Sequence, residues 1–193
     1  MRTLAPNPTR FRPTVAVVDL DAIRSNVREL KPEDAELMAV VKANGYGHGA
    51  MPVARAALQA GATWLGVALV EEGLALREAG IDAPTLVLTE FPPGSEEAAL
   101  RADLTPTIYS EAGLSRLAGA ADAAAGNPGV HVKVDTGMHR VGLPPDRAIE
   151  LVGRLAAAGL GLQGLWTHFA KSEEVGDDFT ARQLRTFRRT VEE

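Results

Sequence analysis

The sequence predicts an α/β fold in which parallel strands alternate with helices, and two observations support this. The first is a repeated unit, made of a short apolar run, a loop rich in polar residues or glycine, and a stretch of helical periodicity. The second is that the helical stretches end at alanine–glycine pairs, at 60–61, 79–80, 125–126 and 158–159, where glycine accepts the left-handed backbone of a helix end. Strands joined by helices lie parallel and are linked by right-handed crossovers. Six such strands are expected, at 37–41, 64–70, 85–88, 104–109, 130–134 and 162–166.

Further elements are expected at both ends of this series. Residues 15–19 predict an extra strand, and a helix with one apolar face follows it. That face would comprise Leu20, Ile23, Val27 and Leu30. Residues 178–193 predict a C-terminal helix. A closed (β/α)8 barrel needs eight βα units and typically about 250 residues, so the count of six predicts a chain cut within a larger domain.

Composition argues against several classes of partner. The 193 residues carry a formal net charge of -5 without a basic tract, which argues against nucleic acid or an anionic membrane as the main partner. The chain has no cysteine, and no apolar stretch reaches the roughly 18 residues of a membrane span. The N-terminus lacks the apolar core of a signal peptide. We therefore expect a cytoplasmic protein.

Lys42 is the most informative residue of the chain. It follows the apolar run 37–41 and opens onto the glycine-rich segment 43–49, so it is predicted to lie at the mouth of a buried strand. The chain has only four lysines against sixteen arginines, which sets this one apart from incidental surface charge. Desolvation favours a neutral amine, the nucleophile that forms a Schiff base with a carbonyl substrate or with pyridoxal phosphate (PLP).

Ionisable residues also gather at the ends of the fifth and sixth predicted strands. Period two in segment 130–135 puts three valines on one face of the fifth strand. The other face carries His131, Lys133 and Asp135. Burying such a face is costly unless its groups are paired or used. Arg140 follows with a charged guanidinium suited to an oxyanion or phenolate, and the sixth strand ends in His168. With Lys42, three strand ends are thus expected to form one site.

Each candidate also has a purely structural interpretation. Lys42 would pair with a carboxylate, and Lys133 and Asp135 would form an internal ion pair. His168 would be a hydrogen-bonded core histidine, and Tyr46 would only cover the loop. Convergence at one rim favours function, although residue types alone leave aldolases and decarboxylases open.

A competing motif lies in the same glycine-rich loop. Segment 45–50 fits the dinucleotide-binding pattern G-x-G-x-x-A between a strand and a helix, and Glu71 follows the next strand where a ribose-binding acid would lie. This pattern requires no lysine at the strand end. It also leaves the charged face of the fifth strand unexplained, whereas the Schiff-base interpretation accounts for both.

Four segments resemble the bacterial alanine racemases, PLP-dependent enzymes of fold type III. Segment 39–49, AVVKANGYGHG, is similar to the PLP-lysine signature of that family. Segments 132–142, VKVDTGMHRVG, and 165–170, LWTHFA, agree in order and spacing, and 17–26 is similar to how the family begins. The resemblance spans nearly the whole chain. It implies that residues 1–193 are part of an alanine racemase N-terminal barrel domain, an incomplete PLP-binding (β/α)8 (TIM-like) barrel with about six of eight βα units.

The resemblance implies a role for each matching residue. Lys42 would hold PLP through a Schiff base and, once displaced by substrate, act as the base on one face of Cα. Tyr46 would bind the cofactor phosphate, and Arg140 would contact the phenolic oxygen and help to bind substrate. His168 would lie beside the ring. Lys133 matches a lysine often carbamylated in this family, whose carbamate would orient Arg140. No metal site is implied.

The resemblance also implies an activity. It is the interconversion of L-alanine and D-alanine, which supplies D-alanine for peptidoglycan, by an enzyme expected to be a homodimer at full length. Two barrel strands and the C-terminal β domain, with the opposite-face tyrosine base, are not among these residues, so we expect the chain to be inactive alone. Two alternatives stay open: a related PLP barrel enzyme, such as a decarboxylase or another amino-acid racemase, and a non-catalytic truncated fragment for PLP binding or assembly.

Overall fold

The strands lie side by side in the order in which they occur along the chain. The computed structural model describes residues 14–121 and 127–193. One sheet has the order β1-β2-β3-β4, a second has the order β5-β6-β7, and every paired strand is parallel to its neighbour. The strands are β1 Met38–Val40, β2 Trp64–Val67, β3 Thr85–Val87, β4 Leu104–Thr105, β5 Thr107–Ile108, β6 Gly129–Lys133 and β7 Gly161–Trp166.

Pro106 separates the two sheets. It lies between β4 and β5 and has no N–H to donate to a ladder, although its carbonyl accepts a bond from the N–H of His131 at 2.9 Å. β4 and β5 therefore fill one strand position, the one predicted at 104–109. All six strands predicted for the repeated unit are confirmed, the first four positions with shorter bounds than the apolar runs and the last two each starting one residue earlier. The fold is an α/β partial barrel.

Helices connect the strands. They are α1 Leu20–Leu30, α2 Lys42–Tyr46, α3 Ala50–Gln59, α4 Val70–Glu78, α5 Glu96–Arg101, α6 Glu111–Ala120, α7 Pro145–Val152 and α8 Phe179–Glu192, and a 3-10 turn covers Ala156–Ala158. Three predicted helix ends are confirmed, because Gly61, Gly80 and Gly159 follow their helices with positive φ. The fourth, at 125–126, lies outside the described residues. No helix in the described ranges is long and apolar enough to cross a membrane.

The two faces of the strands differ in chemistry. The face towards the helices forms the hydrophobic core, and its fully buried members include Leu65, Val67, Val87, Leu104, Ile108, Val130, Val132 and Val134. The opposite face carries four polar or aromatic residues. Thr107 on β5 is the register partner of His131 on β6, and Lys133 on β6 is the register partner of Trp166 on β7. The period-two prediction for the fifth strand is therefore confirmed, with its valines in the core.

The extra strand predicted at 15–19 is wrong. Residues 14–19 have no regular structure, and Val15 and Val17 are exposed. The physical reason is that Asp19 is the N-cap of α1: its carboxylate accepts from the N–H groups of Asp21 and Ala22 at 2.9 and 3.1 Å. Among the described residues no strand pairs with this apolar run, so it leads straight into the capped start of α1 without forming a strand. The predicted helix is confirmed, with Val27 buried against α3 but Leu30 exposed.

The dinucleotide-binding alternative is wrong as well. That motif belongs to sheets whose strand order reverses at a switch point, whereas the order here is sequential within each sheet. Glu71, the candidate ribose-binding acid, is an exposed residue in the first turn of α4.

Candidate functional site

Lys42 starts a left-handed turn at the C-terminal end of β1. Val41 before it is buried, and residues 43–47 all have positive φ, between +51° and +82°. Three of these five are not glycine, and each such residue costs about 1–2 kcal/mol in this conformation. The turn places Lys42 Nζ 5.9 Å from the ring centroid of Tyr46. The two predicted cofactor-binding residues of this loop are thus neighbours, and Tyr46 is 60% exposed rather than covering the loop.

Two side chains hold the turn in this shape. Asn44 accepts a bond from the N–H of Ala50 at 2.9 Å, which ties the turn to the start of α3. Glu72 Oε1 accepts from the N–H of Ala43 at 2.6 Å, and its Oε2 accepts from the N–H groups of Ala68 and Leu69. Asn also tolerates positive φ better than most residues. A strained backbone at a functional loop persists only where surrounding contacts hold it in place, as these two side chains do here.

The loop after β6 is organised by Asp135. Its Oδ1 accepts from the N–H groups of Gly137 and His139 at 3.0 Å, and its Oδ2 lies 3.0 Å from His139 Nδ1. These bonds hold the pKa of Asp135 below its usual value, although burial acts in the opposite direction. The carboxylate therefore fixes the turn that precedes Arg140, and it is not bonded to Lys133.

Lys133 is buried among positive charges. It is 2% exposed, and its Nζ lies 4.1 Å from the ring centroid of Trp166, its register partner on β7. Burial, followed by the positive charges of Arg140 and Lys42, lowers the pKa of Lys133 to about 8, although Asp135 acts to raise it. The predicted ion pair between Lys133 and Asp135 is wrong, since the carboxylate is saturated by its own loop.

His168 completes the cluster. It follows β7 with an exposed side chain, so it is not a core histidine. Partial desolvation lowers its pKa, and the charges of Arg140, Lys133 and Lys42 act in the same direction. The structure thus brings together the strand ends that carry Lys42, Arg140 and His168, as predicted. Within the described ranges Lys42 forms no salt bridge, so none of the described carboxylates supports its structural interpretation as half of an ion pair.

Comparison with known proteins assigns the chain to a family. The family model described as "Alanine racemase, N-terminal domain" matches residues 18–193. The chain belongs to the alanine racemase family. It is 46% identical to the alanine racemase of Symbiobacterium thermophilum over 95% of this chain and 49% of that protein, and 43% identical to alanine racemase 1 of Oceanobacillus iheyensis over 95% and 50%. It spans about half the length of these curated relatives.

Solved structures of alanine racemases share the fold. The enzyme from D-cycloserine-producing Streptomyces lavendulae superimposes with a TM-score of 0.84 at 41% identity, over 91% of this chain and 47% of that one. The Bacillus anthracis enzyme with bound L-Ala-P gives a TM-score of 0.82 at 39% identity, over 91% and 46%. The partial barrel therefore corresponds to about half of an alanine racemase chain.

Sequence reasoning missed two residues that shape this alanine racemase site. Glu72 holds the turn that carries Lys42, as described above. Gln183, 1% exposed on α8, donates to His168 O at 3.0 Å and Thr136 Oγ1 at 3.2 Å, and accepts from Ala170 N–H at 2.9 Å. In the sequence, Gln183 could be noticed only as a polar residue on the apolar side of a predicted helix. Its hydrogen-bond partners are 13 to 47 positions away along the chain.

The residues of the site fit the cofactor that the family implies. The cluster of Lys42, Lys133, Arg140 and His168 is rich in positive charge, and the nearby carboxylate of Asp135 is engaged by its own loop. PLP carries an anionic phosphate, a phenolic oxygen and an aldehyde that reacts with a lysine amine. An anion here would offset the mutual repulsion of these side chains. Within the described residues no group of three His, Cys, Asp or Glu is placed to hold a metal ion.

Proposed function

We propose that this chain is part of an alanine racemase that interconverts L-alanine and D-alanine with PLP and supplies D-alanine for peptidoglycan. The observation that carries the proposal is the positive cluster around Lys42 at the end of β1, within a chain that belongs to this family. Homology supports alanine over the alternatives, since the curated relatives and solved structures cited above are all alanine racemases. We propose a cytoplasmic location and a homodimer on the strength of the family alone.

Proton transfer at the substrate Cα is the proposed chemical step. PLP, when bound, supplies the electron-withdrawing ring that makes this proton acidic. Lys42 removes the proton on one face, and a second group returns a proton on the opposite face. The buried Val41 and the left-handed turn fix the backbone from which the Lys42 side chain extends.

The remaining residues bind and orient. The Tyr46 hydroxyl, on an exposed ring beside Lys42, would donate to the cofactor phosphate. Arg140 would donate to the phenolic oxygen and contact the substrate, because a guanidinium stays charged and presents a planar donor fork. His168 would lie beside the ring and support it.

Lys133 is proposed to carry a carbamate. Burial and neighbouring cations favour its neutral amine, and a neutral amine forms a new N–C bond to carbon dioxide and releases one proton to solvent to give the carbamate. The resulting anion would replace one positive charge of the cluster by a negative one. It would then orient Arg140 by a charge-assisted hydrogen bond.

The test of the proposal is to locate the reactive lysine. PLP added to the purified chain, followed by borohydride reduction and peptide mapping, is expected to label Lys42 ahead of the other three lysines, because Lys42 is half-buried at a strand end beside Tyr46, whereas Lys133 at the end of β6 is 2% exposed. A Lys42→Ala variant is expected to lose the Schiff-base absorbance and keep its far-UV circular dichroism.

Lys171→Arg is the matched control. Lys171 is paired with Glu174 and Asp177 away from the cluster, and replacing it is expected to leave the absorbance unchanged. Labelling concentrated on Lys133 or Lys171, with Lys42 unmodified, would overturn the assignment.

A further inference from the structure

Glu72 connects two loops at the carboxyl ends of neighbouring strands. It is the third residue of α4, and its Oε2 accepts from the N–H groups of Ala68 and Leu69 at 2.8 and 3.1 Å, so this half of the carboxylate caps its own helix. The other oxygen, Oε1, accepts from the N–H of Ala43 at 2.6 Å. That N–H belongs to the peptide that joins Lys42 to Ala43.

The bond to Ala43 acts at the start of the positive-φ turn. Ala43 has φ +51° and ψ +48°, and it is the first of the five positive-φ residues of the turn. Further along, hydrogen bonds within the turn join Gly45 N–H to Val41 O and Gly47 N–H to Ala43 O. The N–H of Ala43 has Glu72 as its hydrogen-bond partner within the described ranges.

We infer that Glu72 is a positioning residue, which holds the peptide after Lys42 and thereby fixes the direction of the Lys42 amine. A carboxylate makes a stronger bond to a backbone N–H than a neutral acceptor does. Its two oxygens accept hydrogen bonds from different segments, so one side chain couples the β1 loop to the start of α4. The inference about the turn stands on this geometry, and its consequence for the reactivity of Lys42 rests on the proposed function.

The experiment separates this tether from ordinary helix capping. Glu72→Ala removes both halves of the carboxylate. Glu72→Gln keeps the shape and one acceptor oxygen, which can serve Ala43 or the α4 cap but not both, and it covers the case in which Glu72→Ala does not fold. Asp19→Ala is the matched control, because Asp19 caps α1 through two backbone N–H groups and does not contact the Lys42 turn. Glu71→Ala controls for charge loss in the same helical turn.

Three quantities are measured on each variant of the chain. They are amide hydrogen exchange in peptides that cover residues 43–47, the fraction of borohydride-trapped PLP found on Lys42, and the midpoint of thermal unfolding. Glu72→Ala is expected to speed exchange in 43–47 by about tenfold or more, the size expected for a lost bond to a charged group, and to lower the Lys42 fraction several-fold. Glu72→Gln should show a smaller change in both. Asp19→Ala should lower the midpoint without either change.

The outcomes separate the two proposals. If exchange in 43–47 changes no more in Glu72→Ala or Glu72→Gln than in Asp19→Ala, Glu72 is a helix cap and the inference is wrong. If exchange accelerates while the Lys42 fraction stays constant, Glu72 shapes the turn without positioning the amine, which also overturns it. If the unsubstituted chain shows no label on Lys42, the proposed function fails, and the exchange measurement still decides whether Glu72 holds the turn.

Discussion

Lys133 is buried and forms no salt bridge with a described carboxylate, so the free-energy cost of burying its positive charge has to be explained. Lys133 lies against the ring of Trp166 at 4.1 Å, while Asp135 two residues later is occupied by Gly137 and His139. The cation–π contact favours the ammonium, whereas burial and the charges of Arg140 and Lys42 lower the pKa of Lys133 to about 8. The residue is therefore suited to exchange its proton for another substituent near neutral pH.

We predict that Lys133 takes up carbon dioxide with a definite pH dependence. Carbamate formation needs the neutral amine. Because the folded site binds a proton less readily, the pKa of Lys133 falls to about 8, so the neutral amine dominates above pH 8 and is lost as the pH falls below it. With 13C-labelled carbon dioxide at constant dissolved concentration, a carbamate resonance should therefore grow from about pH 6.5 to about pH 8.5, which is roughly 1.5 units below to 0.5 units above that pKa.

Two variants test the assignment of that resonance. Lys133→Met should abolish it, whereas Lys171→Arg, at an exposed lysine paired with two carboxylates, should leave it unchanged. A resonance that survives in Lys133→Met would show that the carbamate is elsewhere. A chain that shows none at any pH would assign Lys133 as an unmodified amine over Trp166, and the carbamate prediction would be wrong.

At the scale of elements, α8 is joined to the strand ends by one amide. Gln183 bonds to Thr136 beyond β6 and to His168 and Ala170 beyond β7, all within 3.2 Å. We predict that Gln183→Leu lowers the free energy of unfolding by about 2–4 kcal/mol, since it leaves buried donors and acceptors unpaired at similar volume. Urea unfolding measures this change.

Gln163→Leu provides the control for that prediction. Gln163 lies on β7 with an exposed side chain, and the same substitution there should change the free energy of unfolding by no more than about 0.5 kcal/mol. Equal losses in the two variants would show that the Gln183 network contributes no more than an exposed glutamine does.

Local patterns along the chain could be predicted from the sequence, whereas contacts between distant residues could not. Apolar runs closed by glycine located the six strand positions, because burial against helices imposes that pattern locally. The run at 15–19 has the same composition, yet Asp19 caps α1 there and no strand pairs with it, which only the tertiary structure shows. Lys42 and Arg140 were predictable because each directly follows a strand or its turn. Glu72 and Gln183 were not, since their hydrogen bonds join residues 29 and 47 positions apart.

At the scale of the whole molecule, the arrangement of strands separates stability from chemistry. The helix-facing side of the strands holds the apolar core, and the other side carries polar groups that lead to the positive rim. The buried Thr107 Oγ1, His131 Nε2 and Trp166 Nε1 lack hydrogen-bond partners within the described ranges. Such groups lower stability unless something pairs with them. Among the described residues, β1 and β7 each pair with one neighbouring strand, and an unpaired strand edge promotes association.

The last prediction concerns activity of the 193-residue chain by itself. Racemisation requires proton transfer on both faces of Cα, and the site described here provides one group for this, Lys42. We therefore expect no measurable conversion of L-alanine to D-alanine by the purified chain with PLP. Exchange of the Cα proton with solvent deuterium needs a single base, so it should be slow but detectable by mass spectrometry.

Two comparisons make this prediction decisive. Lys42→Ala should abolish the deuterium exchange, which would show that the residual proton transfer comes from this lysine and not from free PLP in solution. The chain must be of verified length and free of full-length racemase, since traces of that enzyme would give turnover. Robust racemisation by a monomer of this chain would show that residues 1–193 supply both bases, because no second chain would be present to reach the opposite face of the substrate.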